Sequence, residues 1–380
     1  MKCTMCNNSE FEKLFKIGNM KILSPSFKNK DSYILSCKKC GHTFVDSDAT
    51  QEDFNNYYRS DSAHALSYYE CYGKEHTDNY FSDVLNKFKN FITKNSAIID
   101  VASGVGDFSQ FLIEHGYKNV TALDISERCC KLLKDKKIPF VLSDTIQFDK
   151  TLERKYDAAV LLHSLEHYLD FKATLESVKK LVKPNGIIYV ETPDAQRYCD
   201  VEAVPFTMFT YEHTFHLTQE TMKNLGKVCG LNLLDTNSFY KADSYWVVYG
   251  LFKNTGIIEN PVYTDTVKNG ILKYICFSKN LLKQRLPKRD ATKYYLWGIG
   301  ASTALLLNET FDEYNVVGLI DRNPARQGIE YTIGTKKLKI QSPESIVDKD
   351  AAILVLPYWY KDSIVTQIQA MGLTNKILAL

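Results

Sequence analysis

The sequence lacks the features that would place the protein in a membrane. No apolar run approaches the roughly 20 residues that a bilayer-spanning helix needs. The N-terminal residues Met1–Cys6 contain no apolar core of a secretory signal. We therefore predict a cytoplasmic protein with no membrane partner.

An excess of charge of one sign is also missing. The chain has 47 Lys and Arg against 45 Asp and Glu, a formal net charge of +2, and no basic stripe. Because nucleic-acid-binding proteins concentrate Lys and Arg on one face, nucleic acid is excluded from the expected partners. With no heptad pattern either, we expect a monomer or a weak homodimer.

Disulfides are not expected, although the chain contains ten cysteines. Six of them are dispersed, mostly in apolar surroundings, which suits reduced thiols in the cytosol. These are Cys71, Cys129, Cys130, Cys199, Cys229 and Cys276. The other four form two C-x-x-C pairs: Cys3, Cys6, Cys37 and Cys40.

The two C-x-x-C pairs predict a zinc site near the N-terminus. Each pair brings two thiolates together on one tight turn, and two such turns complete a tetrahedral Zn²⁺ site. Gly41 follows the second pair and suits a turn that points backbone amides at the sulfurs. Because cysteine fills all four positions, the zinc would be structural. A redox pair and chance spacing are the alternatives.

The chain is organised around the stretch Ile98–Phe108. A short β-branched run ends in a turn with small residues at alternate positions, Ala102, Gly104 and Gly106, and an amphipathic helix follows. This strand–turn–helix pattern is typical of a doubly wound α/β domain whose backbone passes close to a ligand.

Two acidic residues follow later strands of the same unit. Asp124 comes after the apolar stretch 120–123, where a ribose diol would lie, and Asp144 comes after 139–142. The turn and the two acids resemble the cofactor site of class I S-adenosylmethionine-dependent methyltransferases, over roughly residues 96–195. Another Rossmann-like nucleotide site, or a turn needed only for packing, are the alternatives.

This resemblance implies a division of labour among the cofactor-binding residues. The turn would hold the methionine part, Asp124 the ribose hydroxyls, and Asp144 the adenine. Ala102 replaces the usual first glycine, and we expect the turn to tolerate its methyl group. The implied cofactor-binding residues are Asp100, Ala102, Gly104, Gly106, Asp124, Ile125, Asp144 and His163.

The chain is predicted to be an α/β protein in three parts. Residues 1–80 hold a Cys₄ zinc ribbon and an aromatic substrate-lid segment, residues 81–255 a doubly wound, seven-stranded class I methyltransferase domain, and residues 256–380 a linking helix and a Rossmann-like domain. Leu231–Leu234 and Tyr245–Phe252 are expected to close the central sheet as an antiparallel hairpin.

Residues 50–80 are rich in tyrosine and histidine, and two interpretations stay open. Alternating rings and polar groups can line a substrate pocket, and the candidates for that role are Tyr57, Tyr58 and His64. Tyrosine is equally common as half-buried packing between helices.

A second glycine turn lies in the C-terminal part. Gly298 and Gly300 precede Thr303, and Asp321 follows the next apolar strand, which is half of a Rossmann fingerprint. The turn would bind NAD or belong to a fold that has lost its nucleotide. Only about 90 residues remain, too few for a catalytic partner domain, so an NAD-linked oxidoreductase is the least favoured function.

The order of zinc ribbon, methyltransferase domain and Rossmann-like tail resembles the sugar C-methyltransferases of deoxysugar biosynthesis. Those enzymes act on nucleotide-linked keto-sugars, and a Tyr–His–Glu–His stretch supplies their base; the matching stretch here is Thr210–His213. The resemblance implies His213 as base, Glu212 as the residue that orients it or binds a hydroxyl, and Tyr211 as donor to a developing oxyanion.

Three departures from that family keep O-methylation open. The stretch His163–His167 is typical of the wider methyltransferase superfamily, whereas the sugar enzymes usually have an Asn and a lone His there. Lys241–Asp243 stands where those enzymes tend to have His-Gly-Gly, and many O-methyltransferases carry a His near His213 or His216. We assign Glu166 and His167, at a helix start, a supporting role.

The sequence therefore predicts C-methylation of a nucleotide-linked keto-deoxysugar by S-adenosylmethionine. A histidine with a pKa of about 6.5 can remove the proton next to a ketone, and the methyl group then moves by in-line displacement, aided by alignment. The alternatives are an O-methyltransferase of a sugar, glycan or small metabolite, and a non-enzymatic zinc scaffold with a vestigial cofactor fold.

Overall fold

The protein is described by a computed structural model over residues 1–19, 22, 27, 31–60, 67–200, 205–241, 245–307, 310–358 and 361–380. Strands and helices alternate through most of these residues, and the described strands form three sheets. The predicted α/β class is confirmed. His64 and residues 242–243, which the sequence analysis singled out, lie outside the described residues.

The N-terminal part begins with strands and continues as helices. Its elements are β1 (Phe11–Asn19), β2 (Asp31–Cys37), β3 (Thr43–Val45), α1 (Gln51–Ser60), α2 (Tyr68–Tyr72) and α3 (Lys74–Phe88). Helix α1 begins where Thr50 and Asp53 exchange hydrogen bonds through backbone N–H and side-chain oxygens, which satisfies donors that a helix start leaves unpaired. It buries Phe54, Asn55 and Tyr57.

The central part supplies the largest sheet. Its elements are β4 (Ala97–Val101), α4 (Asp107–Glu114), β5 (Asn119–Asp124), α5 (Glu127–Asp135), β6 (Phe140–Leu142), β7 (Tyr156–Leu162), α6 (Phe171–Leu181), β8 (Val182–Pro193), β9 (Phe215–His216), α7 (Gln219–Cys229), β10 (Asn232–Lys241) and β11 (Tyr245–Lys253). The sheet has seven strands in the order β10-β11-β8-β7-β4-β5-β6.

The direction of these strands fixes where a ligand can bind. Strands β4 to β8 run parallel, whereas β10 and β11 pair antiparallel, as the sequence predicts. Ile98, Ile99 and Val101 of β4 are fully buried, since a parallel strand in mid-sheet is covered on both faces. The strand order reverses between β4 and β7, and such a switch point opens a crevice at the carboxyl ends of the strands.

A short strand connects the central part to the N-terminal sheet. β9 pairs with β3, through Thr43 with His216 and Phe44 with Phe215, and completes the four-stranded order β1-β2-β3-β9. The turn that contains Glu212 and His213 directly precedes β9. This pairing therefore holds that turn beside the N-terminal part of the chain.

The C-terminal part forms a second sheet, which is parallel except for one antiparallel pair at its edge. Its elements are α8 (Thr266–Arg285), β12 (Lys293–Trp297), α9 (Ala301–Leu307), β13 (Asn315–Ile320), β14 (Glu330–Ile333), β15 (Lys336–Gln341), β16 (Ala352–Val355), α10 (Lys361–Ala370) and β17 (Ile377–Ala379). The six strands run in the order β14-β15-β13-β12-β16-β17. No helix in the described ranges has the length and apolar character needed to cross a membrane.

Candidate active site

The four predicted cysteine ligands come together at the N-terminus. The sulfurs of Cys3 and Cys40 are 3.7 Å apart and those of Cys6 and Cys37 are 3.5 Å apart, and all four lie within 4.8 Å of one another. Four thiolates at this spacing fit a tetrahedral Zn²⁺ ion. The adjacent Gly41 has φ +77°, and a Cβ there would stand 1.6 Å from the carbonyl oxygen of Thr264.

The turn after β4 bends through left-handed backbone. Ala102, Gly104 and Gly106 have φ of 55°, 56° and 78°. A Cβ on Gly104 would meet nothing within 4 Å, so this residue faces open space, whereas one on Gly106 would lie 2.2 Å from a methyl carbon of Leu133. Gly104 and Ala102 line a cavity of about 410 Å³, but Gly106 does not. Gly106 therefore leaves room for a side chain of α5, and its contact with the cofactor stays a prediction.

The three predicted carboxylates, Asp100, Asp124 and Asp144, all line the same cavity. Asp124 accepts hydrogen bonds from the backbone N–H groups of Gly104 and Ser126, both at 2.8 Å, which ties the end of β5 to the turn. Burial raises the pKa of Asp124. Asp144 accepts from the amide of Asn55 at 2.5 Å, so α1 reaches the end of β6.

The third carboxylate, Asp100, is buried at the end of β4. It accepts a hydrogen bond from the Ser109 hydroxyl at 2.7 Å. Burial raises its pKa from 3.8 to about 7, because the charged form loses its water, although the Ser109 hydrogen bond acts in the opposite direction. Ile125 and His163, the remaining predicted cofactor residues, also line the cavity.

A group of histidines and glutamates forms the opposite side of the cavity. Glu166, His167, Glu212 and His213 all line it, so the predicted base and the glycine turn share one enclosure. The rings of His167 and His213 lie edge to face, with centroids 5.1 Å apart. The backbone N–H of Thr214 donates to the carbonyl oxygen of Glu166 at 2.7 Å and joins the two segments.

Helix α1 orients this group through two tyrosine hydroxyls. Tyr57 donates to a carboxylate oxygen of Glu212 at 2.8 Å, and the Tyr58 hydroxyl lies 2.8 Å from Nδ1 of His167. Tyr58 lines the cavity, whereas Tyr57 is buried and is not among the lining residues. Both predicted tyrosines thus lie at the histidine side of the cavity.

The structure does not bring Tyr211 to the cavity. Its side chain is fully buried in the core cluster that also contains Phe15 and Tyr331. Adjacent residues of a turn point in different directions, and the chain directs Glu212 and His213 into the cavity and Tyr211 away from it. This placement corrects the expectation that Tyr211 donates to an oxyanion there.

Several site residues were not predicted from the sequence. The carboxylate of Glu191 on β8 is 3.1 Å from Nε2 of His163 and accepts from the hydroxyl of Tyr80. Asp107 accepts from the Ser67 hydroxyl and from the ammonium group of Lys136, at 2.8 and 2.7 Å. None of these residues stands in a recognisable motif; the available signal was a charged residue at the end or start of an apolar element.

The second glycine turn, before α9, is covered by the chain's own side chain. A Cβ on Gly300 would stand 3.1 Å from a guanidinium nitrogen of Arg326, which lies 3.3 Å from the carboxylate of Asp321. The acid that would hold a ribose is therefore engaged by Arg326. This geometry favours the interpretation of a fold that has lost its nucleotide.

Comparison with known families finds a match in the central part of the chain. Residues 74–236 match the protein family described as "Methyltransferase domain". The matched segment contains the glycine turn, Asp124, Asp144 and His213. The prediction of an S-adenosylmethionine-dependent methyltransferase is thereby confirmed for this domain.

The individual relatives described next share less than 30% sequence identity with this chain. The chain is similar to the 1,6-didemethyltoxoflavin N1-methyltransferase of Burkholderia thailandensis, solved with 1,6-didemethyltoxoflavin and S-adenosylhomocysteine (16% identity, 56% of this chain and 95% of that chain, TM-score 0.42). It is also similar to an S-adenosylmethionine-dependent methyltransferase of Methanosarcina mazei (15% identity, 46% and 98%, TM-score 0.37). An uncharacterized methyltransferase of Schizosaccharomyces pombe is 29% identical over 122 residues, 28% of this chain and 43% of that protein. The match thus spans less than half of that relative's length.

Proposed function

We propose that this chain, whose residues 74–236 are a methyltransferase domain, transfers the methyl group of S-adenosylmethionine to a carbon atom of a nucleotide-linked keto-deoxysugar. The supporting observation is that one cavity of about 410 Å³ is lined both by the glycine turn with its acids and by His213. A donor at the turn and an acceptor at the imidazole would meet in this cavity.

The donor would lie along the ends of β4, β5 and β6. The methionine part would rest on Ala102 and Gly104, since the Cα of Gly104 faces open space. Asp124 would accept the ribose hydroxyls, because two backbone amides already hold its carboxylate in a fixed orientation. Asp144, oriented by Asn55, would meet the adenine.

The acceptor would be activated by His213. Its imidazole would take the proton from the carbon next to the ketone, and the C–H electron pair would become the enolate. The enolate carbon would attack the methyl group in line with the carbon–sulfur bond; the new carbon–carbon bond forms as the old bond breaks, and S-adenosylhomocysteine leaves. The imidazolium would then return its proton to solvent.

Neighbouring groups support each charge that this reaction creates. Glu212, held by the Tyr57 hydroxyl, would orient His213, and the buried carboxylate of Glu166 would favour the imidazolium. The enolate oxygen would be contacted by His167, whose Nδ1 is held by Tyr58, in place of the buried Tyr211. Tyr57, Tyr58 and His64 remain the proposed substrate-binding residues of the aromatic segment.

The remaining properties belong to the same proposal. A structural zinc ion would be bound by Cys3, Cys6, Cys37 and Cys40. This ion would stabilise the fold and take no part in methyl transfer. The protein would act in the cytoplasm, as a monomer or weak homodimer, on a small-molecule substrate.

Hydrogen exchange into the substrate tests the proposal. The protein is incubated in D₂O with a nucleotide-linked keto-deoxysugar and no methyl donor, and the proton next to the ketone is followed by NMR. We expect exchange with the wild-type protein and none with His213→Ala or His213→Asn, and a carbon-bound methyl signal once the donor is added. Exchange at the wild-type rate in both variants would contradict the proposal.

O-methylation of a sugar, glycan or small metabolite is the second candidate. The observation that favours it is the burial of Tyr211, since removal of a hydroxyl proton by His213 needs no enolate donor. An O-methyl product, formed without exchange next to any ketone, would select this reaction.

A further inference from the structure

Glu166 is a buried carboxylate that the methyl-transfer scheme uses only as a nearby charge. Its side chain is 2% exposed, and neither carboxylate oxygen has a hydrogen-bond partner among the described residues. Nδ1 of His163 lies 3.8 Å from one of these oxygens. An anion in this position loses its water without regaining hydrogen bonds, which is costly unless a cation compensates it.

Two further metal-ligand side chains lie beside this carboxylate. One ligand atom each from Glu166, His167 and His213 lies within 4.8 Å of the other two. Nδ1 of His167 contacts the Tyr58 hydroxyl at 2.8 Å. A metal-binding histidine usually donates its other ring N–H to such an outer partner, which fixes the ring.

Imidazoles surround this carboxylate, since Nδ1 of His163 lies 3.8 Å from one of its oxygens and His167 and His213 belong to the same cluster. A site with one carboxylate and two imidazoles, open on its cavity side, suits a divalent transition-metal ion with free coordination positions.

We propose that Glu166, His167 and His213 bind a divalent transition-metal ion inside the central cavity, apart from the four-cysteine cluster. The open coordination positions would face the cavity and take water or an oxygen of a substrate. An ion on His213 occupies the lone pair that the base needs, so the bound ion inhibits methyl transfer by His213. The ion-binding site itself does not depend on the proposed reaction.

Cobalt titration of the full chain tests the site. Protein with zinc in the cysteine cluster, established by elemental analysis, is titrated with Co²⁺ in the absence of substrate. We expect one further Co²⁺ per chain, with d–d absorption and no thiolate-to-cobalt charge-transfer band, because the ligands are nitrogen and oxygen. Glu166→Gln should weaken this binding by more than about tenfold. Tenfold is the smaller effect that is expected when a metal site loses only a residue that holds a ligand, whereas Glu166 is proposed as a ligand itself.

Two variants control the experiment. His213→Asn removes a second ligand from another segment and should weaken the same binding. Glu176→Gln removes an exposed carboxylate of α6 that pairs with Lys179 at 3.1 Å, and it should leave the binding unchanged. Absence of a second Co²⁺, a thiolate charge-transfer band alone, or equal affinity in Glu166→Gln would each overturn the proposal. Because no substrate is used, these results are separate from the deuterium-exchange test.

Discussion

At the scale of single residues, the glycine turn shows how one methyl group changes both strain and space. Ala102 and Gly104 have almost the same positive φ, 55° and 56°. An L-residue in this region costs about 1–2 kcal/mol, which glycine avoids. Ala102 carries that cost, while Gly104 avoids it at the position that faces the cavity.

Exchanging the two residue types separates strain from clearance. Gly104→Ala should lower the free energy of unfolding by about 1 kcal/mol and also weaken S-adenosylhomocysteine binding, because its methyl group enters the cavity. Ala102→Gly should raise the free energy of unfolding and leave binding intact. Denaturant unfolding measures the change in stability, and calorimetric titration measures the change in binding. Weaker binding of S-adenosylhomocysteine to Ala102→Gly, together with unchanged binding to Gly104→Ala, would refute the assignment of Gly104 to the cofactor.

Asp100 predicts a pH dependence of stability. Burial raises its pKa from 3.8 to about 7 in the folded chain. Between these values the folded state binds more protons than the unfolded state, so the contribution of Asp100 to the unfolding free energy falls as pH rises from about 4 to about 7. Asp100→Asn should remove this fall. Unfolding curves of both proteins across that range would refute the prediction if their stability difference stayed constant.

At the scale of elements, α1 is the support of the histidine side of the cavity. One turn of this helix presents Tyr57 to Glu212 and Tyr58 to His167. The contacts join residues that are 155 and 109 positions apart in the chain. The helix therefore orients groups that local sequence cannot orient.

Removing one hydroxyl of α1 tests this support. Tyr57→Phe keeps the ring in the core but leaves Glu212 without that donor, and we expect methyl transfer to slow about fivefold, since one hydrogen bond contributes about 1 kcal/mol. The KM for S-adenosylmethionine should not change, because the donor side is separate. Tyr240→Phe on the exposed part of β10 is the matched control. Initial rates at varied donor concentration would contradict this if KM alone changed.

The cysteine cluster predicts an effect of metal removal on β9. β3 follows the cluster and pairs with β9, next to the turn of His213. Removal of the proposed zinc ion by a chelator, or Cys40→Ser, should lower the melting temperature and increase hydrogen exchange of residues 214–216, because such an ion would supply folding energy to this sheet. Unchanged hydrogen exchange of residues 214–216 in the zinc-free protein would show that the cysteine cluster does not support the site.

The elements of the central sheet were largely predictable, and the contacts between distant segments were not. β4, β7 and the hairpin of β10 and β11 follow from apolar runs and turn residues, and the glycine turn follows from its spacing. The direction of Tyr211 and the contact of Asn55 with Asp144 did not follow, because they depend on how a loop and α1 pack. The close approach of Gly106 to Leu133 did not follow either, because spacing does not distinguish a glycine needed for a neighbouring leucine from one that contacts a ligand.

At the scale of the whole molecule, one core cluster joins the N-terminal and C-terminal parts. It contains Phe15 of β1, Phe209 and Tyr211 of the loop that precedes β9, and Leu305 of α9. Residues from all three parts of the chain are buried together. Phe209 and Tyr211 of the loop that precedes β9 thus belong to the same core cluster as β1 and α9, two elements that contribute no described residue to the lining of the cavity.

This shared core predicts that damage far from the cavity reaches the whole chain. Leu305 is fully buried, so Leu305→Ala should lower the free energy of unfolding by about 2–5 kcal/mol. The N-terminal and C-terminal parts should lose stability together. Calorimetry and near-ultraviolet circular dichroism would contradict this if the C-terminal part melted alone and left S-adenosylhomocysteine binding unaltered.

The ten residues of α1 span both halves of the cavity. Asn55 contacts Asp144, the acid proposed for adenine, and Tyr57 and Tyr58 of the same helical turn contact Glu212 and His167. A nucleoside that displaces Asn55, or strengthens its contact with Asp144, would therefore also shift the tyrosines that orient the groups around His213, since they lie in the same helical turn. The enzyme would assemble its acceptor half only after the donor has arrived, and ordered kinetics, with S-adenosylhomocysteine leaving last, are the natural outcome.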